Sequence, residues 1–452
     1  MDQANILRQY GLFDAKVPRY TSYPPANRFE PDIGTRFQSE WLKAAPESDP
    51  VSLYIHIPFC RRLCWFCACR TQGTKTLGPV ENYINVLLKE IDTITDDHLP
   101  AGMRMQRLHL GGGTPTLLNS ALMTRLLDHI HNKFKLAEEF EFSVEIDPTD
   151  AMPELLKTLA AKNMTRASIG VQDFAPEVQN AIGRIQGLDI TQDVIATLRE
   201  NDVNSLNIDL LYGLPLQTNQ SLLETLDQVI SLNPDRIALY GYAHVPHVSK
   251  RQVMIPNDTL PYAEQRFVMS QLARDRLIAA GYVALGIDHF ALPHDSLAIA
   301  AQSRRMSRNF QGYTDDPCKT LIGFGASAIS KFQQGYVQNA VSTSAYAQRV
   351  QTTGTAAHKG IVLTADDRFI ATLIEAIMCN GEIRFAEIEA RFPDFSADLS
   401  RLCDELVVLF PDLLEFDADG LALRSGLNAA SRLVAAHLDR SCRDTFVHSL
   451  AI

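Results

Sequence analysis

No run of about 18 uninterrupted apolar residues occurs in the chain, so the ordinary signature of a membrane-spanning helix is missing. The opening stretch MDQANILRQYGLFDAKVPRY likewise lacks the basic region and apolar core of a secretory signal. A cytoplasmic protein with no membrane partner is expected. Cations are in deficit: 42 Lys and Arg against 53 Asp and Glu give a formal net charge of −11. Binding of nucleic acid by overall charge is therefore not expected. No repeat of fixed period is present, which excludes a solenoid. Cysteine is scarce and unevenly spread. Of eight in 452 residues, Cys60, Cys64, Cys67 and Cys69 fall within ten residues, whereas Cys318, Cys379, Cys403 and Cys442 are scattered. Such crowding points to metal or redox chemistry rather than a disulfide framework.

What the chain does have is material for a large core, with 46% apolar and 21% charged residues. Residues 1–45 show little periodicity and carry VPRYTSYPPANRF, whose prolines favour an extended path. We read this region as an arm that covers the site. From about residue 51 to 290, short β-branched or apolar runs (VSLYIHI, QRLHL, FSVEI, RASIGV, LNIDLL, RIALY, YVALGI) alternate with helical patterns, as in repeated β/α units around a parallel sheet. The chemically unusual residues sit at the ends of these strands or just after them, the end at which a β/α barrel builds its sites. The expected fold is α/β, a partial (β/α)6 TIM-like barrel with a substrate-binding extension over 46–358. Residues 359–452 form a separate domain in this reading. There, Thr364 and Asp367 are spaced as a capping box, two further helical patterns follow, and a hairpin turns at Asp419-Gly420. Helices followed by a short hairpin are winged-helix-like, although this region is not notably basic.

Three cysteines at CxxxCxxC spacing on a loop after a strand can each ligate one iron of a [4Fe-4S] cube and leave the fourth iron open. The bland alternative is structural zinc with Cys69 as fourth ligand, but four ligands within ten residues leave little room for a tetrahedral loop. GGG at 111–113, taken alone, is a flexible turn.

HIPFCRRLCWFCAC followed by GGGTP resembles the radical S-adenosylmethionine (SAM) superfamily and its porphyrin-handling branch. PRYTSYP, VEIDP, GVQDF, NIDLLYGLP, NPDRIALYGYAH, RNFQGYT and GASAIS extend the resemblance to the oxygen-independent coproporphyrinogen III dehydrogenase family over about residues 18–345. It implies one [4Fe-4S] cluster on Cys60, Cys64 and Cys67, with Cys69 outside the ligand set, and two SAM molecules. Tyr54, Gly112, Glu145 and Ile329 match positions at the cluster-bound SAM. Phe66, Gly113, Thr114, Gln172, Arg184, Asp209 and Ala243 match positions around a second. An internal Arg184–Asp209 pair is the structural alternative for those two side chains.

The implied reaction is the oxidative decarboxylation of two propionates of coproporphyrinogen III to vinyl groups, giving protoporphyrinogen IX in haem biosynthesis. It requires an electron donor for the cluster and a terminal electron acceptor. Arg19 and the group Arg304, Arg305, Arg308, Asn309 and Gln311 are the candidates for holding substrate carboxylates. His56, two residues beyond Tyr54 on the same strand face, is a candidate for proton or electron transfer; a satisfied core histidine is its alternative. A monomer is expected. A haem carrier, a radical SAM haem methyltransferase and a nucleic-acid module are the competing readings. The CxC ending at Cys69 and the PRYTSYP arm distinguish the chain from the haem-chaperone branch. Two departures from the family pattern stand out: Arg70 where a small polar residue is expected, and Asp315-Asp316-Pro317-Cys318 after the RNFQGYT element.

Overall fold

The structure, a computed structural model, describes residues 3–440; Cys442 lies outside the described residues. Six strands are laid down in succession: β1 (Val51–Ile57), β2 (Arg104–Gly112), β3 (Lys135–Ile146), β4 (Arg166–Gln172), β5 (Ser205–Tyr212) and β6 (Arg236–Gly241). Each pairs in parallel with the next. β1 is buried at every position but Tyr54, as expected of a strand covered on both faces. Two of the helices between the strands start at side-chain caps. Asn119 accepts from the Leu122 N–H at the start of Ser120–Lys133, and Thr218 and Ser221 form a reciprocal box before Asn219–Ser231.

A seventh parallel strand, β7 (Thr320–Phe324), joins the outer edge of β1. The sheet then continues antiparallel in both directions without returning on itself, so the barrel stays open. YVALGI, read as a further barrel strand, instead gives the edge strand Val283–Leu285. It pairs antiparallel with His289–Ala291, which is itself antiparallel to β6.

Two further expectations are corrected. Residues 1–45 are not one arm. Leu7, Leu12, Phe13, Val17, Tyr20 and Tyr23 pack into the core of the C-terminal domain, while Trp41 and Leu42 of helix Ile33–Lys43 belong to the barrel core. The boundary at 358/359 falls inside strand Ala357–Val362, which pairs in the large sheet. Helix Ala365–Asn380 follows it, started by the Thr364–Asp367 box. Helices Phe385–Arg391 and Ser396–Leu409 and the hairpin Leu414–Phe416/Gly420–Leu423, with Glu382–Arg384 as its third strand, give this domain its winged-helix-like form. Among the described residues no helix is long and apolar enough to cross a membrane.

Candidate active site

Side chains alternate along a strand, so every second residue of β2–β6 faces the barrel interior. Here many of those positions are polar: Arg107 and His109; Glu141, Ser143 and Glu145; Arg166 and Ser168; Asn207 and Asp209; Arg236 and Tyr240. All of them line a cavity of about 430 Å³. The polar ladder is a period-two pattern in the sequence. At its lower end the charges neutralise one another. Asp295 receives Arg236 at 2.6 Å and Arg166 at 3.4 Å, Glu141 receives Arg166 at 3.2 Å, and Asp315 stands 3.9 Å from Arg107. Asp316, the other unexpected aspartate, accepts from Ser52 and also lines the cavity.

At the upper end the cysteine loop closes the cavity. Phe59–Cys60 pairs with Gln72–Gly73, cinching the loop at its base. The glycine turn is hooked to the same place: Gly113 N–H donates to Ile57 O and Thr114 N–H to Phe59 O, each at 2.8 Å. A Cβ on Gly113 would meet Phe59 O at 2.6 Å, so only glycine permits this approach. Cys60, Cys64, Cys67 and Cys69 all line the cavity. Burial pushes the Cys60 thiol up to about 11, whereas contact with Cys69 brings Cys67 down to about 6. The Cys69 N–H points at the Cys67 sulfur at 3.4 Å.

Gly112, Gly113, Thr114, Glu145, Gln172, Arg184, Asp209 and Phe66 line this cavity, as do Asn309 and Gln311. Arg184 donates to Asp147 at 3.0 Å, to Gly170 O at 2.8 Å and to the Cys64 sulfur at 3.6 Å. The internal pair considered from sequence is thus made with Asp147, not Asp209. Asp209 is held by Asn207 at 2.8 Å and Ser168 at 3.0 Å, and burial raises its carboxyl. Tyr54, His56 and Ile329 are not on this wall. Tyr54 stacks on His109, centroids 5.8 Å apart, and its hydroxyl meets His56 Nδ1 at 2.9 Å. His56 sits behind Gly112, satisfied by Tyr54 and the Arg70 carbonyl, and burial lowers its basicity. Ile329 lies in the strand Ile329–Lys331, antiparallel to β7, and lines neither cavity.

A second cavity, about 680 Å³, shares Phe66, Cys67, Cys69, Tyr240 and Gln311 with the first. Both volumes lie within the range of about 300–1,000 Å³ usual for small-molecule sites. Ala243 lines only this one, as do the candidates Arg19 and Arg308. Arg266, Arg274 and Arg432 stand beside them. The sequence reading missed these three because each is an ordinary helical arginine whose direction only packing sets. Against these five arginines the residues lining this cavity include one carboxylate, Asp288, bonded to His289 at 2.7 Å. Arg19 donates to Gly241 O, Arg308 to Arg19 O, and Arg432 to Val17 O and Pro18 O, so residues 17–19 are clamped beside the cavity. Arg304 and Arg305 point elsewhere: Arg304 pairs with Glu382 and Glu387, and Arg305 donates to Ser303.

The sequence profile of the radical SAM superfamily matches residues 54–229, from β1 into the helix after β5. Coproporphyrinogen III oxidase, anaerobic 1, of Cereibacter sphaeroides is 46% identical over 97% of both chains. The oxygen-independent coproporphyrinogen III oxidase of Paracoccus denitrificans is 46% identical over 100% of both. The coproporphyrinogen III oxidase of Escherichia coli, solved as a radical SAM enzyme, superposes with a TM-score of 0.89 at 35% identity, covering 94% of this chain and 100% of its own. Likeness that spans the arm, the barrel and the C-terminal domain together has one reading: the chain belongs to the oxygen-independent coproporphyrinogen III oxidase family of radical SAM enzymes.

Proposed function

We propose that this protein converts two propionate side chains of coproporphyrinogen III to vinyl groups, giving protoporphyrinogen IX without dioxygen. The observation that carries the reading is a cavity lined by five arginines that shares part of its wall with a cysteine-lipped one. A substrate with four carboxylates needs several fork-shaped cationic donors around an enclosed space. The names of the full-length relatives support the same substrate.

Cys60, Cys64 and Cys67 are the proposed ligands of the [4Fe-4S] cluster. The site suits the group: the thiols share one cinched loop, and Arg184 beside Cys64 offers positive charge to thiolate sulfur. Bound there, the cluster together with SAM would supply the one-electron chemistry that takes a hydrogen atom from substrate.

The chain's own groups do the positioning. Glu145 and the glycine turn hold the amino-acid and ribose end of SAM, with Tyr54 acting through His109. Gln172, Arg184 and Asp209 serve a second SAM, with Phe66 at the join of the cavities and Ala243 on the wall of the second. Arg19, Arg266, Arg274, Arg308 and Arg432 fix the substrate carboxylates so that a propionate carbon next to the ring faces the cysteine loop. Loss of hydrogen from that carbon, of carbon dioxide from the carboxylate and of one electron to an external acceptor leaves the vinyl group.

The test is anaerobic incubation of cluster-reconstituted protein with coproporphyrinogen III, SAM, a reductant and an electron acceptor. Protoporphyrinogen IX with two carbon dioxide released per molecule is expected; a fully clustered sample giving none overturns the proposal. Transfer of the SAM methyl group, or haem binding without decarboxylation, would identify the methyltransferase or carrier instead.

A further inference from the structure

We propose that the outer face of the cysteine loop, with the segment 247–254 packed on it, is the docking surface for an acidic, low-potential one-electron carrier protein. The inference rests on the cluster assignment above, since a cluster that cleaves SAM must be supplied with an electron from outside the chain.

Charge is the first observation. Residues 60–76 contain Arg61, Arg62, Arg70 and Lys75 and no carboxylate; residues 243–257 contain Lys250 and Arg251 and again none. In a chain of net charge −11 this is a local reversal of sign. Asp150 and Asp147 answer Arg61 at 3.0 Å and Arg62 at 3.9 Å. Arg70, Lys75 and Lys250 have no carboxylate within ion-pair distance among the described residues, and they are exposed. Arg70, unexpected in the sequence, thereby acquires a place.

The second observation is apolar. Leu63, Val248, Val253 and Met254 are 37%, 53%, 70% and 55% exposed. None of them lines either cavity, so they face outward. Leu63 lies over Gly73, at the cinched base of the loop. Apolar side chains set among unanswered cations suit a small, transient interface in which charge steers the encounter. Complementarity of sign commits the partner to being acidic.

The third is proximity. Ser249 Oγ donates to Cys67 O at 2.9 Å, Gln252 Nε2 to Phe66 O at 2.7 Å and Arg251 to Cys69 O at 3.0 Å. A carrier seated on this face rests on the backbone that holds the ligands, which makes the path to the cluster short.

The experiment uses reconstituted holoenzyme and photoreduced flavodoxin, an acidic one-electron carrier, with bleaching of the cluster absorbance followed by stopped flow and binding followed by calorimetry. The Lys75→Glu, Lys250→Glu double variant is expected to slow reduction by flavodoxin about tenfold at low salt and to weaken binding in parallel. The wild-type rate is expected to fall with added salt, and bleaching by dithionite to be equal in both proteins. Equal flavodoxin rates in the two proteins, a salt-insensitive wild-type rate, or an oligonucleotide held by this face in preference to flavodoxin would overturn the proposal. A preparation that assembles no cluster would refute the cluster assignment instead.

Discussion

The backbone N–H of Gly112 donates to Glu145 Oε2 at 3.0 Å, which fastens the glycine turn after β2 to the end of β3. The other carboxylate oxygen meets His109 Nε2 at 3.3 Å. Burial opposes ionisation of Glu145, but His109, by hydrogen bond and charge, and the Gly112 amide outweigh it and hold the carboxyl below its ordinary value. Glu145 is therefore anionic at neutral pH and presents its charge to the cavity, where 38% of its side chain is exposed.

Glu145→Gln keeps the shape and removes the charge. A hydrogen bond to a charged group is worth about 1.5–3 kcal/mol, so SAM affinity should fall roughly tenfold to a hundredfold. Equilibrium dialysis of the clustered protein measures it; the iron content should stay unchanged.

Arg274 lines the arginine cavity from helix Ala263–Ala279 and is half-buried. Arg274→Met should raise KM for coproporphyrinogen III about tenfold with little change in thermal midpoint, the cost of one charge-assisted contact. Steady-state kinetics beside a thermal melt separates the two effects.

Arg304 makes the opposite case. Its partners Glu382 and Glu387 belong to the C-terminal domain. Arg304→Ala should leave KM alone and lower stability by about 0.5–1 kcal/mol, as for partly exposed pairs. A denaturation midpoint that does not move, with a KM that does, would return Arg304 to the substrate site.

Glu90 is fully buried, and burial pushes its carboxyl up to about 7, although hydrogen bonds from Gly325 N–H, Tyr346 and Asn339 pull it down. In the unfolded chain it titrates near 4.5. The folded state thus binds the proton more tightly, and its contribution to stability is complete below pH 4.5 and lost as pH rises towards 7. Glu90→Gln should flatten that fall, by about 3 kcal/mol at most. Denaturant midpoints at pH 5 and pH 8 for the two proteins provide the check.

The six strands, the Thr364–Asp367 cap, the hairpin at Asp419-Gly420 and the crowded cysteines were legible because each is fixed by residues within a turn or two of one another. The polar ladder from Arg107 to Tyr240 was equally legible in principle; its period of two is that of the strand itself. Val283–Leu285 was misread because periodicity identifies a strand and not its partner, and the pairing with His289–Ala291 reverses its direction.

Other relationships had no local trace. Arg184 chooses Asp147 over Asp209 because a loop carries its guanidinium to the end of β3. Nothing in VPRYTSYP tells that Val17 joins the C-terminal core while Arg19 turns to the cavity. The sequence by itself determined the cysteine loop and the succession of β/α units, since ligand spacing and backbone hydrogen bonding act over a few residues. The tertiary structure alone decided which arginines share a cavity: Arg432 reaches Pro18 across 414 residues, and only the packing of the C-terminal helix sets where so distant a charge stands.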